Sequence, residues 1–205
     1  MEKEIKKTIE NLKKNQMNGY FAESQAVLEQ LLKMLIPEGS TVGSGDSLTL
    51  EELGVFEWLR NGKYTFLDKQ NKGLTREEKR KLYLNNFSAD IFMSSANAIT
   101  QQGEIINIDG NGSRVAPMLY GPSKVVFVIG TNKVAPDLKS GLERARQIAA
   151  PLDAKRLGKE TPCVKTGSCV NCKSKQRICN SFSVISHQFD AERIHVIIMD
   201  GSWGY

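Results

Sequence analysis

The hydrophobic pattern of the first third of the chain is mainly helical. Residues 3–16 repeat apolar side chains at helical spacing among charged ones, which is typical of an amphipathic helix. A turn is predicted at residues 18–19, and a second helix over 23–36 ends at a Pro-Glu-Gly stretch. A short strand at 40–42 then leads through a glycine-rich turn into a helix over 48–60.

From about residue 60 onward, strand patterns alternate with helix patterns. Strands are predicted over 64–67, 90–95, 104–109, 124–130, 182–186 and 194–199, and helices over 75–87, 113–120 and 137–150. Residues 125–129 are uniformly apolar, as in a strand that is covered on both faces. The alternation predicts an α/β fold: a mostly parallel sheet flanked by helices, with an N-terminal helical segment over residues 1–36. One domain is expected over residues 1–205.

Composition places the chain among ordinary globular proteins, with 40% hydrophobic and 25% charged residues. No apolar run is long enough for a transmembrane helix, so no membrane partner is expected. The N-terminal residues are charged throughout and lack the apolar core of a signal peptide. We therefore expect a cytoplasmic location, where disulfides are a less common fate of cysteine.

The glycine-rich turn is the first candidate binding site. A strand, a run of small residues and a helix follow one another here, an arrangement that can point backbone N–H groups at an anion. The turn consists of Gly43, Ser44, Gly45, Asp46 and Ser47. The alternative is a tight turn in which Ser47 only caps the following helix.

A second candidate site is the polar cluster that begins with Asn97 and ends with Arg114. Asn107 and Asp109 share one face of a predicted strand at its end, just before the turn that contains Asn111. Ligands of open α/β sheets bind at the carboxyl ends of strands. Arg114 is predicted to hold a substrate carboxylate through both oxygens, and Asp109 is the candidate catalytic proton acceptor. Alternatively, Asp109 and the asparagines only stabilise turns.

All four cysteines lie in one short segment near the C-terminus: Cys163, Cys169, Cys172 and Cys179. Their spacing, C-x5-C-x2-C-x6-C, contains one C-x2-C pair rather than the two pairs of most zinc ribbons. A loop over residues 161–180, on the rim of the sheet, could wrap a [4Fe–4S] cluster. Zinc is the alternative cofactor, and regulatory thiols are a third. Four cysteine ligands leave no open position, so the metal would be structural or would transfer electrons.

The net charge of +5 is concentrated around these cysteines. Between Asp153 and Cys179, seven Lys or Arg residues oppose two acidic ones. We interpret the excess as compensation for an anionic metal–thiolate site. A nucleic-acid patch and a solvated surface are the alternatives, and no nucleic acid is expected as a partner.

Several long motifs resemble the lactate-utilisation (LUD) domain family. They are GSGDSLTLEELG, SSANAITQQGEIINIDGNGSRVA, VIGTNKVAPDL and AAPLDAKRLGKETPC. The resemblance implies a fold like that of ribose-5-phosphate isomerase, other sugar-phosphate isomerases and CoA transferases. It also implies an anion or phosphate held at residues 43–47 and a substrate near Asn107 and Asp109. Some family members oxidise L-lactate in a three-protein system with iron–sulfur partners, and the four-cysteine loop defines a subset.

The hypothesis from these observations is a protein of the lactate-utilisation type. It would take part in oxidation of lactate or a related 2-hydroxy acid, bind an anionic or phosphate-bearing ligand, and exchange electrons with iron–sulfur redox partner proteins through a [4Fe–4S] cluster. One alternative is a non-catalytic binding or assembly subunit with a structural zinc. Another is an enzyme like the sugar-phosphate isomerases or CoA transferases.

Overall fold

The computed structural model describes residues 2–71 and 73–205, and its centre is a parallel sheet of six strands. The strands of this main sheet are β1 (Asn18–Ala22), β2 (Thr41–Ser44), β3 (Thr65–Phe66), β4 (Ile91–Ser94), β7 (Lys124–Gly130) and β10 (Ile194–Met199). Their spatial order is β1-β10-β7-β4-β2-β3, and every pairing is parallel.

A smaller sheet packs beside the main one. Its strands are β5 (Ala98–Thr100), β6 (Ile105–Asp109), β8 (Val134–Ala135) and β9 (Ser181–Ile185), in the order β8-β5-β6-β9. β6 is antiparallel to both of its neighbours. The sequence analysis treated 104–109 and 182–186 as strands of one sheet, whereas they form this second sheet. A tight turn through Gly103, with a φ of 83°, joins β5 to β6, and so short a link permits only antiparallel pairing.

Nine α-helices surround the sheets in the described part of the chain. They are α1 (Glu2–Lys14), α2 (Gln25–Leu35), α3 (Leu48–Glu52), α4 (Val55–Asn61), α5 (Arg76–Asn85), α6 (Val115–Leu119), α7 (Leu138–Arg144), α8 (Ala150–Arg156) and α9 (Pro162–Thr166). A π-helical turn, Ala145–Ala149, joins α7 to α8 into one continuous helix. None of the helices in the described residues is long and apolar enough to cross a membrane.

The core has three apolar clusters that follow these layers. One face of the main sheet packs against α2, α3 and α4, through side chains such as Leu32 and Leu50. The other face packs against α1, α6 and the second sheet. The second sheet in turn packs against the helix formed by α7 and α8, where Ile106 and Ala145 are fully buried. The predicted α/β class, with a mostly parallel sheet flanked by helices, is therefore confirmed.

Two local predictions were wrong. Residues 18–19, predicted as a turn, begin β1 at the outer edge of the main sheet, where they pair with His195 and Val196. The helix predicted over 48–60 is broken into α3 and α4 at Gly54, whose φ of 67° only glycine adopts readily.

Candidate functional site

A polar cavity of about 420 Å³ lies at the carboxyl ends of three strands of the main sheet. The residues that follow β2 (Asp46 to Thr49), β4 (Ser95 to Asn97) and β7 (Lys133) line one side of it. The end of β6, with the turn that follows, forms a second wall, and α8 with part of the cysteine segment forms a third. Carboxyl ends of parallel strands are where ligands bind in folds of this class. We call this space the basic cavity.

The lining of the basic cavity is strongly cationic. Three aspartates, Asp46, Asp109 and Asp153, face seven lysine or arginine residues, which gives a formal excess of four positive charges. The seven are Lys69, Arg114, Lys133, Arg156, Lys159, Lys175 and Arg177. Such an excess inside a partly enclosed space favours an anionic ligand.

Arg114 binds the walls of the basic cavity together. Its Nη1 donates to the carbonyl of Ser95 (3.2 Å) and to Oδ1 of Asn107 (2.9 Å). Its Nη2 donates to Oδ1 of Asn97 (3.1 Å) and to the carbonyl of Ile108 (2.7 Å). Its Nε lies 3.5 Å from Oδ2 of Asp109. The hydrogen bonds engage all four Nη N–H groups of the guanidinium, so a substrate carboxylate that binds both Nη atoms would have to displace some of them.

Asp109 is held equally firmly. Its Oδ1 accepts hydrogen bonds from the backbone N–H groups of Asn111 (3.1 Å) and Gly112 (2.8 Å), and Oδ2 faces Arg114. The side chain is 8% exposed and lies on the wall of the cavity. The arrangement fixes both the turn after β6 and the orientation of the carboxylate toward the cavity.

The predicted asparagines divide between the lining and the layer beneath it. Asn97 and Asn111 line the cavity, and Asn97 Oδ1 also accepts from the backbone N–H of Ile108 (2.8 Å). Asn107 is fully buried below, where its Oδ1 accepts from Arg114 and its Nδ2 has no partner.

The glycine-rich turn contributes only its second half to the lining. Asp46 and Ser47 line the cavity, and Ser47 Oγ accepts from the backbone N–H of Leu50 (3.2 Å), so it caps α3. Gly43, Ser44 and Gly45 lie beneath. A Cβ on Gly45 would come within 2.6 Å of Arg114 Cγ, and one on Gly43 would overlap Oδ1 of Asn86. Close packing therefore requires glycine at both positions.

Two lysines that the sequence analysis did not select belong to the lining. Lys133, 3% exposed, donates to Oγ1 of Thr49 (2.7 Å) and Oγ of Ser95 (3.3 Å). Burial, with the charges of Arg144 and Arg114, lowers the pKa of Lys133 to about 7. Lys69 comes from the segment between β3 and α5, and burial lowers its pKa to about 8. The sequence signal that could have identified these lysines was their position: Lys133 follows a strand, and Lys69 lies in a connecting loop.

Charge pairs hold the mouth of the cavity. Arg156 of α8 reaches Oδ2 of Asp46 (3.1 Å) and Oδ1 of Asp153 (2.8 Å). Burial opposes ionisation of Asp46, but Lys69, Arg156 and Arg114 outweigh it and lower the pKa of its carboxyl. The pair between Asp46 and Arg156 thus links the turn after β2 to α8 across the opening.

All four cysteines border a second, much smaller cavity. It measures about 20 Å³ and is lined by Cys163, Cys169, Cys172 and Cys179 together with apolar side chains and two arginines, Arg146 and Arg177. We call it the cysteine cavity. None of the four cysteines forms a disulfide, and each is partly buried. Within residues 2–71 and 73–205, no three His, Cys, Asp or Glu side chains are grouped so that they could hold a metal ion.

Three of the four sulfurs have a hydrogen-bonding neighbour. Cys163 Sγ lies 3.1 Å from the hydroxyl of Thr161, Cys169 Sγ accepts from the backbone N–H of Asn171 (3.4 Å), and Cys179 Sγ accepts from Arg177 Nη2 (3.3 Å). The π-helical turn anchors the segment, because Gln147 Oε1 accepts from the backbone N–H of Cys169 (3.0 Å). Donors aimed at sulfur stabilise thiolates, which are the form that binds metals.

The two cavities share a wall. Ala150, Arg177 and Ile178 line both of them. Arg177 Nη1 and Nη2 donate to the carbonyls of Cys172 (2.7 Å) and Cys179 (2.8 Å), while its buried Nε has no partner. Of the seven basic residues between Asp153 and Cys179, four line the basic cavity and one, Arg177, borders the cysteine cavity. More of these basic residues therefore face the basic cavity than the cysteine cavity, and compensation of a metal–thiolate site stays a prediction.

The fold and the basic cavity together define an α/β protein with a polar cavity at the carboxyl ends of its parallel strands. The chain belongs to the LUD domain family, whose family profile matches residues 5–199. A duf162 family protein from Deinococcus radiodurans has a similar crystal structure, with 10% identity, a TM-score of 0.54 and 98% coverage of both chains. The resemblance drawn from the motifs is thus confirmed. Among curated proteins, no sequence match was found.

Two partial likenesses involve just over half of the chain. One is to eIF2B beta from Chaetomium thermophilum (16% identity, 57% of this chain and 44% of that one, TM-score 0.37). The other is to ribose 5 phosphate isomerase A from Neisseria gonorrhoeae (16% identity, 56% of both chains, TM-score 0.34).

Proposed function

We propose that this protein takes part in the oxidation of lactate or a related 2-hydroxy acid. In this proposal the basic cavity binds the acid or its 2-oxo product, and the four cysteines hold a [4Fe–4S] cluster that exchanges electrons with an iron–sulfur partner protein. Membership of the LUD domain family supports the substrate class, and the two neighbouring cavities support the combination of a ligand site with a redox site.

The observation that carries the proposal is the shared wall. Arg177 donates to backbone carbonyls and a sulfur of the cysteine segment and also lines the basic cavity. A group bound by the cysteines would therefore lie next to the bound acid, as electron transfer over a short distance requires.

The charges of the basic cavity fit a small carboxylate. Lys69 and Arg156 present cationic groups to the cavity, and Arg114 orients Asp109 toward it. In our proposal, these two cations bind the substrate carboxylate, and Asp109 accepts a proton from the substrate hydroxyl. Asn97 and Asn111 would supply neutral hydrogen bonds.

The spacing of the cysteines supports an iron–sulfur cluster in preference to a single zinc ion. Zinc ribbons usually supply two C-x2-C pairs, whereas this segment has one such pair flanked by single cysteines at longer distances. All four cysteines border one small cavity. Cys163, Cys169, Cys172 and Cys179 would hold the cluster, which would supply one-electron transfer.

Purification without air tests the cluster. We expect brown protein with a broad absorption band at about 400 nm, and we expect it to contain iron and sulfide in equal amounts. Cys172→Ser should lose the colour and the iron, whereas Ser168→Ala, an exposed change in the same segment, should keep both. Colourless wild-type protein that contains zinc would instead support the structural-metal alternative.

Calorimetry with lactate and pyruvate tests the ligand. Because a hydrogen bond to a charged group contributes about 1.5–3 kcal/mol, Arg156→Gln should weaken binding about tenfold or more. Lys63→Gln removes an exposed lysine that pairs with Glu38 and should leave binding unchanged. Equal affinities for wild type and Arg156→Gln would contradict the placement of the ligand.

The excess of four positive charges also suits a phosphate-bearing ligand, which is our second candidate. In that case ribose 5-phosphate should bind in the same calorimetric experiment and compete with pyruvate. Binding of the sugar phosphate without binding of either small acid would favour an isomerase-like function.

A further inference from the structure

Lys133 has an unusual environment for a lysine. It ends the short 3-10 turn Thr131–Lys133 directly after β7, which lies between β10 and β4 in the main sheet, and its side chain is 3% exposed. Within the described residues no carboxylate forms an ion pair with it. Buried lysines usually have such a partner, because an unpaired buried charge is costly. A buried amine that faces a cavity without a counter-ion therefore needs a chemical explanation.

The hydrogen bonds of Lys133 match a neutral amine. A neutral amine has two N–H donors, and Nζ has two acceptors, Thr49 Oγ1 at 2.7 Å and Ser95 Oγ at 3.3 Å. The Thr49 hydroxyl donates its own proton to the carbonyl of Trp203 (3.1 Å), so its oxygen is an acceptor for the lysine. Both donors are then satisfied, and the nitrogen lone pair is left unused.

The charges around Lys133 act in the same direction. Burial is the largest influence, and the guanidinium groups of Arg144 and Arg114 add to it, so that the pKa of Lys133 falls to about 7 against only a weak opposing effect of Glu52. At neutral pH roughly half of the amine is then unprotonated, compared with about one part in a thousand or less for an exposed lysine. A buried, unprotonated lysine is a nucleophile toward carbonyl groups.

We propose that Lys133 forms an imine with the carbonyl carbon of a 2-oxo acid bound in the basic cavity. The Nζ lone pair adds to C2, and the resulting carbinolamine loses the former carbonyl oxygen as water together with the two amine protons. No oxidant or reductant is required. The cavity supplies the other groups that such a ligand needs, since Arg156 and Lys69 can bind its carboxylate. This inference rests on the proposed function, because it needs a 2-oxo acid in the cavity.

Reductive trapping tests the imine on the wild-type protein. Incubation with pyruvate and sodium cyanoborohydride should add one N-(1-carboxyethyl) group, and peptide mapping should locate it on Lys133. Lys63, an exposed lysine, is the internal reference, and its modification should be at least about tenfold slower. Equal modification of Lys63 and Lys133, or no adduct on Lys133, would overturn the inference.

A second measurement needs no reductant. A protonated imine acidifies the C3–H bonds of pyruvate, so the protein should catalyse exchange of the methyl protons in deuterated water, observed by NMR. Lys133→Arg keeps a cation but cannot form the imine, and Lys133→Met keeps the shape of the side chain without the amine. Both variants should lose the exchange, and Lys63→Arg should retain it. Exchange that persists in a folded Lys133 variant would overturn the inference.

Calorimetry with pyruvate separates this inference from the proposed function. Wild-type protein that binds pyruvate but shows neither adduct nor exchange would overturn only the imine. Wild-type protein that does not bind pyruvate at all would overturn both. Binding, a single adduct on Lys133 and loss of exchange in Lys133→Met would support both.

Discussion

At the scale of single residues, Arg114 connects the walls of the basic cavity through its hydrogen bonds. Arg114 was predicted from the sequence as a site residue together with Asn97, Asn107 and Asp109, and the structure brings these four side chains into one polar cluster. Proximity could be predicted because all four lie near strand ends. The acceptors of the Arg114 hydrogen bonds could not be predicted, since they depend on how the tertiary structure places the surrounding oxygen atoms. The role of Arg114 as a carboxylate clamp stays a prediction. Its contacts favour a role in positioning Asn107 and Asp109.

Replacement of Arg114 tests this positioning role. Arg114→Ala leaves Oδ1 of the buried Asn107 without its donor and Asp109 without its ion-pair partner, so we expect a loss of about 3 kcal/mol in the free energy of unfolding. Arg60→Ala removes ion pairs at the surface and should cost less than about 1 kcal/mol. Urea unfolding of the two variants gives the comparison, and similar losses would contradict the role assigned to Arg114.

Lys69 makes ligand binding depend on pH. Burial lowers its pKa to about 8, Asp46 and Asp109 oppose this shift, and Arg114 and Arg156 add to it. The charged form exists below that pKa, so affinity for an anion should be highest at lower pH and should fall as pH rises through about 8.

Calorimetry with pyruvate from about pH 6 to about pH 9 checks the prediction, because the pyruvate carboxylate does not titrate in this range. In Lys69→Gln the fall near pH 8 should disappear. A wild-type affinity that does not fall near pH 8 would show that Lys69 does not contact the anion.

At the scale of elements, long periodic segments were predicted well and short ones were not. The predicted helices over 3–16 and 23–36 correspond to α1 and α2, and the apolar run at 124–130 corresponds to β7. β5 and β8 were missed because two or three residues carry no measurable periodicity. β1 was missed because Asn-Gly is a turn signal, and only pairing with β10 makes it a strand. The π-helical turn, which holds the cysteine segment through Gln147, has no sequence signal of its own.

The turn between β2 and α3 shows how packing gives glycine a role that a motif does not reveal. A Cβ on Gly45 would approach Arg114 Cγ to 2.6 Å and Ser94 Oγ to 2.8 Å, whereas one on Gly110 would be in ordinary contact at 3.4 Å. Gly45→Ala should therefore lower stability by about 1–3 kcal/mol, and Gly110→Ala by much less. Thermal unfolding of both variants measures the difference. A neutral Gly45→Ala would mean that the turn can move away from Arg114.

At the scale of the whole molecule, the cysteine segment and the basic cavity lie side by side. The binding residues predicted from the sequence end at Arg114, far from the first cysteine at Cys163, and the cysteine loop was expected as an addition on the rim of the sheet. The structure instead packs residues from Lys175 to Asn180 against the cavity, where Asn180 Nδ2 donates to the carbonyl of Gly110 (2.9 Å). Such long-range contact depends on the path of the chain around α8, which local patterns do not specify.

This contact predicts that the occupancy of the cysteine site changes the affinity of the basic cavity. Arg177 is bound to the carbonyls of Cys172 and Cys179, so a group that orders these residues also fixes one wall of the cavity. Coupling between adjacent sites is typically 1–3 kcal/mol, so loss of the group should weaken pyruvate binding by about tenfold. Cys172→Ser, purified without air, provides the unoccupied state, and Ser168→Ala is the matched control. Calorimetry should show weaker binding only in Cys172→Ser. Equal affinities in a folded Cys172→Ser and the wild type would mean that the two cavities act independently, in which case their shared wall serves stability alone.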